Sequence, residues 1–138
     1  MPKYPEINKK LNTLREYLME LKPYITLDTN DIIGNNEKVR TMERMFQLVV
    51  DEAIDINSFI AFQIANTVPE SYRSSFVVLV ETKMLDQELV DTLSDSARLR
   101  NQIVHDYEKI QKRDSIEAIK NFYPKYEKYL SILIEKMS

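Results

Sequence analysis

The chain has 138 residues and a formal net charge of −3, with 43% apolar residues, one glycine, one histidine and no cysteine. That length suits one domain able to bury a core, and the charge argues against a broadly basic, nucleic-acid-coating protein while leaving room for a small basic site. The lack of cysteine excludes a disulfide framework and thiolate chemistry, and a single glycine leaves little for hairpin turns or glycine-rich phosphate loops.

In chain order, Ile7, Leu11, Leu14, Leu18 and Leu21 repeat at helical spacing, and Pro23 is expected to close that helix. The polar stretch from Leu27 to Glu37, with the sole Gly34, reads as a loop with room for one short turn. Val39, Met42, Phe46, Val49, Ala53, Ile56 and Ile60 then alternate spacings of three and four, and Met45, Val50, Ile54 and Ile64 widen the stripe. This pattern predicts a long helix through the middle of a bundle. Thr67 to Ser71 breaks it, and Pro69 fits the start of a short helix carrying Phe76, Val77, Leu79 and Val80.

Asp86 is a plausible N-cap for the next helix, whose buried line is expected to follow Leu89, Leu93, Ala97 and Val104. A last helix is expected from Asp114-Ser115, burying Ile116, Ile119, Tyr123, Leu130 and Leu133, with Pro124 kinking or dividing it. Tyr123, Tyr126 and Tyr129 share a helical face, so core and rim packing explains them better than a base-stacking surface. Leu, Ile, Met, Glu and Lys dominate throughout and favour helix. The expectation is therefore an all-α fold: one domain over residues 1–138, a compact up-and-down bundle of four to five main helices. No apolar run approaches the roughly 20 residues needed to span a bilayer, and the N-terminus lacks the apolar segment of a secretory signal. A cytoplasmic location without membrane contact is expected.

The octet from Arg100 to Tyr107 holds the only histidine, His105. Histidine is the side chain whose ordinary pKa lies nearest neutrality, so any acid–base chemistry points there. On an ideal helix Arg100 and Tyr107 fall within about 40° of the apolar stripe. A guanidinium so placed must pair with an acid, snorkel outward, or line a polar cavity or interface. Asn101 lies four residues before His105, where its amide can orient the imidazole. Arg100 and His105 stand about 140° apart on a continuous helix, so one regular helix does not converge them on one phosphate. Either the helix ends or distorts between them, or two copies meet across a two-fold axis and build the site jointly, which also supplies a second histidine. A buried arginine–carboxylate pair with a capping histidine at a helix end accounts for the same residues about as well. Lys109, Lys112 and Arg113 read equally as a basic rim or as solvated helix-end charges. No metal-ligand spacing is visible, and no cofactor is expected.

Arg100-Asn101-x-x-x-His105-x-Tyr107, near the end of a long helix in a small α-bundle, resembles the HEPN superfamily and, more narrowly, the HepT toxins with their Arg-x4-His-x-Tyr signature. Glu43-Arg44, Asp55-Ile56, Val68 to Arg73, Phe76, Leu79, Leu85 and Leu89 agree in order, so the resemblance covers roughly residues 36–135. It implies a metal-independent endoribonuclease toxin acting on RNA as a homodimer, paired with a nucleotidyltransferase antitoxin of the MNT type. On that resemblance Arg100, Asn101 and His105 are catalytic, and Tyr107 is the residue the antitoxin adenylylates. The alternative it leaves is a non-catalytic HEPN subunit that binds a nucleotide or docks on a nucleotidyltransferase.

Overall fold

The structure, a computed structural model, describes residues 4–105 and 110–137. Those residues form α1 (Pro5–Ile25), α2 (Thr29–Ile33), α3 (Asn36–Ala65), α4 (Tyr72–Glu81), α5 (Gln87–His105) and α6 (Lys112–Met137). The long α3 lies at the centre and packs against all five others. Its expected stripe is buried throughout, from Val39 to Ile60. Asn35 caps it by accepting from the Glu37 and Lys38 amides, and Asn66 ends it in the left-handed region at φ 51°.

Several boundaries differ from the sequence expectation. α1 runs two residues past Pro23. A proline in a last turn removes only one hydrogen bond, here to a carbonyl near the exposed Met19, and the Thr26 hydroxyl donates back to the Pro23 carbonyl. The polar loop holds α2, capped by Asp28 and anchored by the buried Ile32. α6 fastens it: Lys120 donates to the Leu27 carbonyl and the Thr29 hydroxyl, and Arg113 to Asn30. Pro69 lies ahead of α4 rather than in its first turn, where a Ser71–Ser74 capping box supplies the start instead. Asp86 caps α5 as expected, its carboxylate accepting from the Leu89 amide at 2.8 Å.

α6 begins at Lys112 and continues through Pro124 undivided, because that proline sits on the exposed face while Tyr123 and Tyr126 hold the helix to the core. On α5, Val104 is 39% exposed and Leu99 and Ile103 are buried in its place. A line of i, i+4 steps drifts about 40° per step, and the buried face follows Ser96, Leu99 and Ile103 round toward α6.

A polar chain threads the core. The Tyr129 hydroxyl lies 2.6 Å from Asn57 Oδ1 and 3.1 Å from the Ala53 carbonyl. The Asn57 amide donates to the Ser75 hydroxyl, which donates in turn to the Tyr72 carbonyl at 2.7 Å. Tyr126 shares a hydrogen bond with Ser96, tying α6 to α5. The side chains of this chain are buried and the Tyr72 carbonyl partly so, so each bond offsets a desolvation cost that would otherwise stand alone.

Tyr129→Phe leaves the Asn57 carbonyl oxygen buried without its donor and is expected to cost about 1–3 kcal/mol. A lowered urea midpoint at unchanged slope would register that loss, and an unchanged midpoint would show the bond contributes little. Burial also favours the neutral phenols of α6. Tyr126 and Tyr129 are raised above the usual tyrosine range, and burial followed by the Glu127 carboxylate pushes Tyr123 up to about 12. Between pH of about 10 and about 12 the folded chain thus keeps protons that the unfolded chain releases. Stability should fall as pH rises through that window, and urea midpoints that stay flat across it would contradict this.

Candidate active site

The last turns of α5 and the first turn of α4 face each other across an open cleft of about 600 Å3. Ser94, Ala97, Arg98, Asn101, Gln102 and His105 form its α5 wall, and Ser71, Tyr72 and Arg73 its α4 wall. The α5 residues recur every three or four positions, so one helical face supplies that side. His105, in the last described turn of α5, is exposed in the cleft, while Asn101 is half-buried. Among the described residues no group of His, Cys, Asp or Glu side chains gathers as metal ligands.

Arg100 does not line this cleft; it occupies the neighbouring face of α5 and is only 12% exposed. Its Nε donates to Asp51 Oδ1 at 2.7 Å and its Nη2 to Oδ2 at 3.3 Å, a two-point clamp on a carboxylate of α3. The guanidinium carbon stands 5.3 Å from the centre of the Tyr72 ring, so a cation–π contact covers one side. Nη1 donates to Asn101 Oδ1 at 3.3 Å. Asn101 is therefore the link between the held arginine and the cleft that contains His105.

Of the sequence alternatives for Arg100, pairing with an acid is the one observed. The helix is continuous through His105, so Arg100 and His105 keep their angular separation within one chain. Tyr107, a modification site on the resemblance, and Lys109, read equally as a rim residue or a solvated charge, lie outside the described residues. Lys112 donates to Asn36 and Arg113 to Asn30, so both contact the bundle itself. Of the other residues that carried the resemblance, Glu43 is buried and accepts from the Ser115 hydroxyl, and Asp55 pairs with Lys10.

Sequence reasoning missed Asp51 altogether and gave Tyr72 no role. An acid was foreseeable as a partner for Arg100, but α3 also carries Glu43, Glu52 and Asp55. Only the crossing of α3 with α5 selects Asp51. A second arrangement also went unread: Asp95 of α5 stands 3.2 Å from Arg73 and 4.0 Å from Arg98.

Together these elements define an all-α helical domain with a histidine-bearing cleft beside a carboxylate-held arginine. A solved structure of a tri-AMPylated Shewanella oneidensis HEPN toxin in complex with an MNT antitoxin superposes with a TM-score of 0.85, covering 96% of this chain and 98% of that one at 21% identity. Residues 14–133 match the family described as HepT-like ribonucleases, and the chain belongs to that family. Among curated relatives, the tRNA nuclease HepT of Aphanizomenon flos-aquae is 28% identical over 124 residues, covering 90% of this chain and 84% of that protein. The mRNA nuclease HepT of Shewanella oneidensis is 28% identical over 87 residues, or 63% of this chain and 65% of that protein.

The clamp on Arg100 yields a stability prediction independent of function. Asp51→Asn and Arg100→Gln should each cost about 1–3 kcal/mol, and the double variant should cost less than their sum by about 1–2 kcal/mol. Urea unfolding of the four proteins measures this coupling, and strict additivity would mean that the pair does not act as a unit.

Proposed function

We propose that this protein is a metal-independent endoribonuclease toxin, with a site formed jointly by two copies and an MNT-type nucleotidyltransferase as its antitoxin. The observation that carries the reading is the arrangement of Arg100. Asp51 and Tyr72 fix its guanidinium while Nη1 points to Asn101, next to the cleft where His105 is open to solvent. The family and the nuclease relatives support the same chemistry.

In this mechanism the ribose 2′-oxygen attacks the adjacent phosphorus and the bond to the 5′-oxygen breaks. One His105 takes the 2′ proton, and the His105 of a second copy delivers a proton to the departing 5′-oxygen. Arg100 stabilises the charge that develops on the phosphate oxygens, using N–H groups that Asp51 and Asn101 leave available. Asn101 orients the phosphate or the imidazole. The products are a 2′,3′-cyclic phosphate and a 5′-hydroxyl, and DNA, lacking the nucleophile, is not cut.

The proposal of a second copy is supported by α5 staying regular through His105, which keeps it on a different face from Arg100 in the same chain. Tyr107 is proposed as the residue the antitoxin adenylylates. Each added nucleotide brings bulk and negative charge two positions from His105, which obstructs the site and repels RNA. The AMPylated state of the Shewanella toxin supports a modification of this kind.

Purified protein, shown by mass spectrometry to carry no nucleotide on Tyr107, should cleave RNA in the presence of EDTA and leave cyclic-phosphate ends. His105→Ala and Arg100→Ala should each lower kcat by about 10²–10⁴. Adding an excess of His105→Ala chains to wild type should depress activity below what the wild-type share alone provides, because mixed dimers hold a single histidine. Absence of cleavage by verified unmodified dimer would reject the nuclease reading in favour of a nucleotide-binding subunit. Activity that simply tracks the amount of wild-type chain would reject the joint site.

A further inference from the structure

Arg73 and Arg98 are not needed for the chemistry above, yet both line the His105 cleft from opposite walls. They lean on the same oxygen of Asp95, Arg73 at 3.2 Å and Arg98 at 4.0 Å. The three side chains are 54–68% exposed, and exposed ion pairs of this kind contribute only about 0–1 kcal/mol to a fold. Stability therefore gives little reason for two guanidinium groups to converge across a cleft. Ligand binding gives a better one: two cations within reach of one carboxylate oxygen are also within reach of one phosphate, which carries the same kind of acceptor and attracts a fork donor strongly.

Arg98 and Gln102 also line a second groove, with Asp95, Gln111, Asp114 and Phe122. They form a ridge between the cleft and that groove, so a strand leaving His105 in this direction must pass over Arg98. The chain as a whole is acidic, whereas among the described residues the cleft walls present Arg73, Arg98 and His105 and no carboxylate. Asp95 sits behind, on the groove side.

We propose that Arg73 and Arg98 form a clamp for a backbone phosphate of single-stranded RNA flanking the scissile bond, and that Asp95 occupies the clamp until RNA displaces it. This inference rests on the ribonuclease reading for the identity of the strand. Asp95 holds the two arginines in place in the free protein and competes with the phosphate for them. It therefore sets a ceiling on affinity, and removing its charge has the opposite effect to removing either arginine.

The test compares wild type with Arg73→Gln, Arg98→Gln, Asp95→Asn and a control, Arg40→Gln, an exposed arginine outside the cleft. Two readouts are taken: steady-state cleavage of a labelled single-stranded RNA in EDTA, and fluorescence anisotropy with the all-2′-deoxy form of that oligonucleotide, which reports occupancy without turnover. Arg73→Gln and Arg98→Gln should each raise KM and Kd about five- to tenfold while kcat holds, as expected for loss of a charged phosphate contact. Each should also flatten the dependence of log Kd on log salt by about 0.7. Asp95→Asn should lower KM and Kd about two- to threefold, and Arg40→Gln should match wild type. If wild type cleaves but the two arginine variants behave like Arg40→Gln, the clamp is overturned and the nuclease reading stands. Weaker binding in Asp95→Asn would likewise overturn the competing role given to Asp95. If wild type does not cleave and the oligonucleotide still binds with the predicted pattern, the nuclease reading falls and the phosphate clamp stands.

Discussion

Arg100 is a cation held almost out of solvent on a helix whose other inward side chains are mostly apolar, and the surrounding architecture answers that constraint. Its charge cannot be left without a counter-ion at such burial, so α3 must present Asp51 at the level where α5 crosses it. Both carboxylate oxygens are engaged, which fixes the plane of the guanidinium as well as its position. Tyr72 then covers that plane from α4. Three helices thus meet at one side chain, and the relative placement of α3, α4 and α5 is readable from its three contacts.

The polar chain through the core supports the same point from below. Tyr129 of α6, Asn57 of α3 and Ser75 of α4 are linked by successive hydrogen bonds that end on the Tyr72 carbonyl. The backbone of the turn that aims the Tyr72 ring is thereby tied to the most buried layer of the bundle. Tyr126 is tied to Ser96 one turn before Arg100 and senses the Asp51 carboxylate. A rigid support of this kind suits the charge-stabilising role proposed for Arg100, since electrostatic help at a reacting phosphate depends on donors that do not have to reorganise.

How much of this could be read from the residues alone divides along physical lines. The stripe of α3 and the Asp86 cap were legible because helical periodicity and capping are local, repeated signals. α1 outlasts Pro23, α4 starts after Pro69 and α6 is not divided at Pro124, because caps and packing around a proline, as well as the proline itself, decide where a helix starts and stops. The octet was legible as chemistry through its residue types. Its partner Asp51 was not, being one of several acids along α3 and 49 positions away. Arg73 and Asp95 escaped notice for the same reason, since their pairing spans 22 positions and two helices.

One consequence follows from the separation of Arg100 and His105 along a regular helix. The two groups receive different treatment from the same fold: the arginine is locked between three helices, and the histidine is exposed in a cleft. In the proposed mechanism Arg100, as the phosphate-stabilising group, benefits from rigidity, whereas His105, as the proton carrier, serves oxygens on opposite sides of the phosphorus. With a single histidine per chain, that second position must be met either by movement of the same ring or by a ring from another copy. Val104, 39% accessible beside His105, fits the second solution within the proposed mechanism, because an apolar neighbour at that point gives a facing helix something to bury along with the histidine.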